Sequence, residues 1–479
     1  MPMANQVYDL HGNNHIIKAF EDAGVPVVVV GGTCRDAALR RDSSDVDLAT
    51  PLLPEQVIAK VKDQEWCDYY VCTGIKHGTI IINIVWGGDV ENLPGFEVEV
   101  TTYRVDKECD GRHAEVEFTR SLDDDLSRRD FTVNAMAWDG KKLIDPYHGA
   151  ADCATSILRT VGDPYQRFEE DYLRVIRLFR FEALLRFNIE DETLDAAMKA
   201  NIADRIKIED DEDKPVAIQR VIAEINKVFE KAWLADIDTF LQRMYDLGVM
   251  DKILPELQMG PVPCHKLLQS PKWHEEGDVW THMKLVVGHA CDKHEPGHPA
   301  NTSKRWIAML HDIAKPMTAE WDPKGIGNKW YSFYGHDKKG AEVIPDIIKR
   351  LKLPKELGKV AALVARWHLY IYSTPPSEKA VRKVQNAMGE YLPALKALGE
   401  ADHMGRPIGT DVEKYFVPQE HVDKEIVSGE DLKELGCKEG PRLGKIKKAI
   451  FKFQIEDGIT DKAKLMELAK ELIKELDER

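Results

Sequence analysis

The chain reads as an α+β protein, in which a small mixed sheet at the N-terminus is followed by helices for the rest of its length. Three observations predict this. A β-branched run, Val27 to Val30, stops at Gly31-Gly32, and a helical segment from about Arg35 leads to a second strand from near Asp45. Thr/Ile/Val-rich strands recur from His77 to Trp86 and from Phe96 to Arg104. Beyond Glu169 the apolar residues return at helical spacing instead of alternating.

At 479 residues the chain is too long for one compact core and is expected to hold two to four domains. We expect a mixed-sheet head over 1–150, a helical neck and body over 151–260, a second helical domain over 261–410 and a helical tail over 411–479. Hydrophobic content of 43% and charged content of 31% are ordinary for a soluble protein. A net charge of −16 argues against a nucleic-acid coat protein, but leaves room for an enzyme that meets RNA along a local basic groove. Eight cysteines without a CxxC pair suit a reducing compartment. The opening MPMANQVYDLHGNN has no basic start and no apolar core, and no run is long enough to span a bilayer. The expectation is a cytoplasmic protein without a membrane segment and without an evident obligate protein partner.

Asp45 and Asp47 sit two apart on the second strand, so alternation points both carboxylates to one side, where they can hold Mg²⁺. Gly31-Gly32 lets backbone approach a bulky anion, and Arg35 adds a planar fork of donors suited to phosphate oxygens. A Gly-Gly turn or a DxD pair alone is common in proteins without such a role. Together, in one strand–turn–helix–strand unit, they point to a nucleoside triphosphate and metal-assisted phosphoryl or nucleotidyl transfer. A helix is expected over Pro54 to Asp63. In Phe96 to Val100, Glu97 and Glu99 share the face opposite Val98 and Val100. Asp106 to Glu117, with Asp110-Gly111-Arg112-His113, has no period and reads as a flexible loop.

Asp125 to Met136 sets Arg128 and Arg129 beside Asp130 and Asn134, groups that suit a sugar and a phosphate or, equally, a helix start held by local ion pairs. Glu169 to Phe181 is expected to be one amphipathic helix with Asp171, Arg174 and Arg177 at i, i+3 and i+6, and with Arg180 turned half a revolution from Asp171. A carboxylate that accepts from an exocyclic amino group, beside guanidinium donors, makes a Watson–Crick template. A surface ladder of ion pairs is the plain alternative. The acidic run Glu209 to Lys214 is a linker or loop, and helices resume over Val216 to Phe229 and Asp236 to Gly248.

From Trp273 onward the histidines form an order: His282, His311-Asp312, His336, His368, then Asp402. Any one of them alone is more often a core or surface histidine. As a set, imidazoles and carboxylates suit a divalent ion such as Mg, Mn, Ni or Fe, and no thiolate set argues for structural zinc. Lys315 lies close enough in sequence to steady a phosphate. Helices separated at Asp457-Gly458 close the chain, with a turn at Gly440-Pro441.

G-G-x-x-R-D at Gly31 to Asp36 followed by D-x-D resembles the head signature of the nucleotidyltransferase superfamily. It is most similar to the class II tRNA nucleotidyltransferases, the CCA-adding enzymes, and to the related bacterial poly(A) polymerases. R-R-D-x-T-x-N-A at Arg128 to Ala135 and E-D-x-x-R at Glu170 to Arg174 extend that resemblance, and the H…HD…H…H…D order resembles the HD-superfamily phosphohydrolases. The resemblance implies a polymerase beta-like head, and addition of the 3′-terminal CCA to tRNA from CTP and ATP. Asp45 and Asp47 would then be the catalytic Mg²⁺ ligands, with Glu99 either a third carboxylate or an exposed strand residue. Gly32, Arg35 and Arg129 would cradle the nucleotide, with Asp130 and Asn134 near its ribose. Asp171 and Arg174 would select its base, with Arg177 and Arg180 beside them. The loop holding Asp110 to His113 would correspond to the one associated with switching from C to A addition. His282, His311, Asp312 and Asp402, joined by His336 and His368, would hold the metal of an HD domain. One family branch with such a domain is linked to 2′,3′-cyclic phosphodiesterase, phosphatase and 2′-nucleotidase activities. Lys445, Lys447, Lys448 and Lys452 form a patch that suits tRNA phosphates or is a solvated helix face. A poly(A) polymerase, an enzyme adding only CC or only A, and a regulatory RNA-binding HD protein with a dead head are the alternatives. The acidic end, Lys474 to Arg479, differs from the basic tail usual in the polymerases.

Overall fold

The computed structural model of the chain describes residues 13–41, 46–85, 96–107, 115–208, 214–291, 300–321, 330–403, 410–417 and 425–477. Asp45, the Asp110 to His113 tip and most of the acidic run lie outside these residues. The chain divides into two compact units, Met1–Val228 with Gln242–Lys252, and Phe229–Leu241 with Ile253–Arg479.

The first unit is built on a seven-stranded sheet. After helix α1 (Asn13–Asp22), its strands are β1 (Val28–Val30), β2 (Val46–Thr50), β3 (Cys67–Gly74), β4 (Thr79–Ile84), β5 (Phe96–Thr102), β8 (Ala137–Trp138) and β9 (Leu143–Ile144), with β6 (Arg104–Lys107) and β7 (Glu115–Phe118) paired apart from it. The order is β3-β4-β5-β2-β1-β8-β9. Within this sheet, among the described residues, only β2 and β5 pair in parallel, with Val46 opposite Val98 and Asp47 opposite Glu99. β1 is central, and all three of its valines are buried, which is why the run reads as continuously apolar. Its even positions join Ala49, Tyr103, Leu126 and Ala137 in one core.

Helix α2 (Gly32–Ala38) starts three residues earlier than expected, because Gly31, at φ 68° and ψ −128°, turns the chain directly into it. Helix α3 (Pro54–Val61) starts where expected, with proline in its first turn. Strand β3 was not foreseen. Irregular register against β4 between Cys67 and Tyr69, and again between Val71 and Gly74, breaks the alternation that would have marked it. The expected loop over Asp106 to Glu117 has paired ends, since β6 and β7 form an antiparallel ladder with Lys107 opposite Glu115. Both strands are rich in charge, so hydrophobic period carried no signal there.

Helices α4 (Leu122–Ser127), α5 (Gly149–Thr155), α6 (Pro164–Glu170), α7 (Leu173–Leu185), α8 (Asp191–Lys199), α9 (Ile202–Arg205) and α10 (Ile218–Lys231) follow. The single helix expected from Glu169 to Phe181 is two. Asp171 is extended, at φ −150° and ψ 101°, and its carboxylate accepts the Leu173 N–H at 3.1 Å, which offers the backbone an alternative to the helical bond.

After α11 (Leu234–Asp246) and α12 (Val249–Ile253), the second unit carries α13 (Val279–His289), α14 (Ala300–Leu310), α15 (His336–Leu351), α16 (Lys355–Ser373), α17 (Glu378–Met388), α18 (Leu392–Asp402) and α19 (Thr410–Glu413). The last three helices are α20 (Gly429–Glu434), α21 (Pro441–Glu456) and α22 (Lys462–Asp477), which share a core of Val427, Leu432, Ile446, Ile450, Leu465 and Ala469. The break between α21 and α22 falls at Asp457-Gly458, as expected, with Gly458 at φ 66°. Among the described residues, no helix is long and apolar enough to cross a membrane.

Candidate active sites

In the first unit the β1–α2 turn brings three of the expected residues together. A Cβ built on Gly31 would meet an Arg129 guanidinium nitrogen at 2.8 Å and Asp47 Oδ2 at 3.7 Å, so a cation and a carboxylate both close on this turn. The Asp47 N–H donates to Thr33 Oγ1 at 3.2 Å, tying β2 to the first turn of α2. Asp47 and Glu99 are register partners on parallel strands and therefore face the same side of the sheet. Two carboxylates on one exposed sheet face suit a hard, oxygen-seeking cation.

Behind the turn runs a ladder of paired groups. Arg35 donates to Asn134 Oδ1 at 2.7 Å, Asn134 Nδ2 donates to Asp130 Oδ1 at 2.9 Å, and Arg177 Nε donates to Asp130 Oδ2 at 2.9 Å. Asp130 and Asn134, expected near a ribose, are here the buried middle of that ladder. Burial pushes the Asp130 carboxyl up, but the Arg177 charge and bonds from Asn134, Arg177 and the Phe131 N–H outweigh it, and the group lies well below its ordinary value. Arg129 is held by Asp125 Oδ2 at 3.0 Å and donates to the Asn134 carbonyl at 3.2 Å. Arg180 lies 4.2 Å over the Phe181 ring, and its Nε is 2.9 Å from Glu224 Oε2, close enough for an ion pair but not aligned as a hydrogen bond. Burial pulls the Arg180 guanidinium down to about 10.

The base-reading candidates Asp171 and Arg174 are not on one helix face. Asp171 Oδ2 accepts from Arg220 at 2.8 Å, while Arg174 donates to Glu170 Oε2 at 2.5 Å and to the Arg128 carbonyl at 2.9 Å. A cavity of about 560 Å³ lies beside them, lined by Asp124, Ser127, Arg128, Gln166, Arg167 and Glu170. Asp47, Asp171 and Arg174 are not among its lining residues, although Glu170, the partner of Arg174, is. Arg220 and Glu224, both on α10, were missed. They sit at i and i+4 in a stretch read only as helical, and their partners are remote in sequence.

In the second unit the histidine set converges. His282, His311, Asp312, His336 and His368 are all buried. His282 Nε2 is 3.3 Å from Asp312 Oδ2 and 3.2 Å from Asp402 Oδ1, and His311 Nε2 is 3.1 Å from Asp312 Oδ2. The other Asp312 oxygen is 3.1 Å from His336 Nε2 and 3.5 Å from His368 Nε2. Asp312 thus stands between two groups that could hold a metal, His282, His311 and Asp402 on one side and His336 and His368 on the other.

The opposite edge of each ring is anchored. Nδ1 of His311, His336 and His368 faces the carbonyl three residues back, of Ala308 at 2.6 Å, Phe333 at 2.6 Å and Ala365 at 2.7 Å. Nδ1 of His282 faces Glu276 Oε1 at 2.7 Å. Such partners put the proton on Nδ1 and leave a lone pair on each Nε2. His336 Nε2 and His368 Nε2 then face each other at 3.3 Å, and Asp312 Oδ1 is buried without a hydrogen bond. Converging lone pairs repel unless a cation lies among them, so the donor set fits a divalent metal. Burial and Lys315 pull His282 down, but the nearby carboxylates of Asp312, Asp402 and Glu276 prevail and raise it to about 10, a proton taking the place a metal would fill. Lys315 is buried, with Nζ 2.7 Å from both Asp312 Oδ2 and Gln269 Oε1, so it braces the cluster from within.

Residues 27–159 match the family described as Poly A polymerase head domain, and residues 280–403 match the HD domain. The CCA-adding enzyme of Streptococcus gordonii is 41% identical over 198 residues, 40% of this chain and 46% of that protein, so the chain spans about half that relative's length. The CCA-adding enzyme of Bacillus cereus is 31% identical over 323 residues, 64% of this chain and 72% of that protein. The crystal structure of Bacillus stearothermophilus CCA-adding enzyme in complex with CTP shares the fold, with a TM-score of 0.65 at 23% identity over 97% of this chain and 99% of that one. With the sheet-borne carboxylate in one unit, the histidine cluster in the other and these relatives, the chain belongs to the family of CCA-adding enzymes.

Proposed function

We propose that this chain completes the 3′-terminal CCA of tRNA from CTP and ATP in the cytoplasm. The observation that carries the reading is the meeting of Gly31, Asp47 and Arg129 at one turn, with Glu99 in register beside Asp47. Asp45 and Asp47, with Glu99 beside them, would hold Mg²⁺. Bound there, two such ions would supply a lowered pKa at the RNA 3′-hydroxyl and charge balance for the leaving pyrophosphate. Gly32, Arg35 and Arg129 steady the triphosphate so that the 3′-oxygen faces the α-phosphorus. The 3′-oxygen bonds to the α-phosphorus as its proton passes to water, the bond from the α-phosphorus to the bridging oxygen breaks, and pyrophosphate leaves. Asp171 and Arg174 read the base edge, with Arg177 and Arg180 held beside them by Asp130 and Glu224.

The second unit, in the same reading, hydrolyses a phosphoester such as a 2′,3′-cyclic phosphate or a phosphomonoester. His282, His311, Asp312 and Asp402, with His336 and His368, would hold the metal (Mg, Mn, Ni or Fe), which would supply activation of a water. The test is incubation of the full chain with tRNA transcripts ending at the discriminator base, in C or in CC, with labelled CTP and ATP, and sequencing of the products. Completion to CCA from all three supports the proposal. Long A tails, addition of C or A alone, or no extension would each overturn it.

A further inference from the structure

Three of the four inward-facing histidines are oriented by main-chain carbonyls, which no substitution removes, whereas His282 is oriented by a side chain. Glu276 comes from the segment before α13, and its Oε1 lies 2.7 Å from His282 Nδ1 and 2.8 Å from His274 Nδ1. One carboxylate oxygen has lone pairs for two donors, so both rings present N–H to it. The His274 and His282 rings meet edge to face with centroids 4.7 Å apart, which fixes the angle at which Glu276 approaches. His282 Nε2, on the far edge, is buried and lacks a hydrogen bond.

We infer that Glu276 is a positioning residue for the metal centre: it locks the ring angle and tautomer of His282, and its charge strengthens the imidazole as a donor. This rests on the reading of the histidine set as a metal centre. Removing an outer partner of a ligating histidine costs roughly 10–100-fold in metal affinity. The structure makes Glu276 the side chain through which that effect reaches His282.

The probe is Co²⁺ added to the full chain, followed by the ligand-field absorption of imidazole-bound cobalt, which carboxylates on the first unit's sheet do not reproduce. The His311→Ala variant supplies the background. Glu276→Ala is expected to weaken cobalt binding by roughly 10–100-fold. Glu276→Gln keeps an oxygen that accepts from Nδ1 and is expected to bind between Glu276→Ala and the unchanged chain. Thermal unfolding without metal shows that each variant is folded. Folded Glu276→Ala that binds cobalt like the unchanged chain, or Glu276→Gln no better than Glu276→Ala, overturns the inference alone. If the unchanged chain shows no band beyond the His311→Ala background, the metal-centre reading itself fails, and the inference falls with it.

Discussion

Gly31 sits at φ 68° and ψ −128°, a conformation that side chains rarely tolerate, and an added Cβ would press on the Arg129 guanidinium. Gly31→Ala is therefore expected to cost about 1–3 kcal/mol in backbone strain and to displace Arg129 from the turn. A lower melting temperature together with weaker CTP and ATP binding by calorimetry would bear this out, and unchanged values of both would refute it. Asp130 gives a pH-dependent case. Its folded pKa lies below its ordinary 3.8, so its contribution to stability is full above that value and is lost as pH falls through the folded one. Asp130→Asn leaves Arg177 without its carboxylate and is expected to cost about 1–3 kcal/mol near neutral pH. Thermal unfolding across pH checks the sign, because the gap between variant and unchanged chain should narrow below pH 3.8.

The break between α6 and α7 is held by one side chain that does two things, capping α7 through the Leu173 N–H and pairing with Arg220. Asp171→Ala is expected to lose about 1 kcal/mol of capping along with base selection. Asp171→Asn keeps an acceptor for the cap but adds an N–H donor at the base edge. It should therefore retain most of the stability while admitting UTP, whose ring presents a carbonyl where cytosine presents an amine. Incorporation of labelled UTP and thermal unfolding separate the two effects. This break was not legible in the sequence, because Asp171 and the arginines keep helical spacing across it. The central strands were legible, since β1, β2 and β5 carry the valine runs or alternation that a buried or half-buried strand requires. So was the histidine order, because buried imidazoles followed by carboxylates have few other uses. Glu276 was not, being one acid among 82 acidic residues, and its relation to His282 arises only from the fold. Asp312 was legible as a member of the histidine set, but its place between His282 and His311 on one side and His336 and His368 on the other was not, because that depends on how α15 and α16 bring His336 and His368 to one oxygen.

Each compact unit holds its own set of candidate groups: Asp47, Glu99 and Arg129 lie in one, and His282, His311, Asp312 and Asp402 lie in the other. On the proposed reading, substitutions in one set should leave the other activity in place. If Asp47 holds Mg²⁺ as proposed, Asp47→Ala removes several kcal/mol of charge stabilisation and is expected to lower nucleotide addition on the order of a hundredfold or more, with phosphoester hydrolysis preserved. His311→Ala should do the reverse. A readout independent of catalysis follows from mass action. A metal that binds the folded chain at about 100 times its Kd adds about 2.7 kcal/mol. Mn²⁺ should therefore raise an unfolding transition in the unchanged chain and in Asp47→Ala, chelation should lower it, and His311→Ala should have lost that response. Loss of both activities and of the Mn²⁺ response from either single substitution, in a chain that still unfolds cooperatively, would mean that the two centres are coupled.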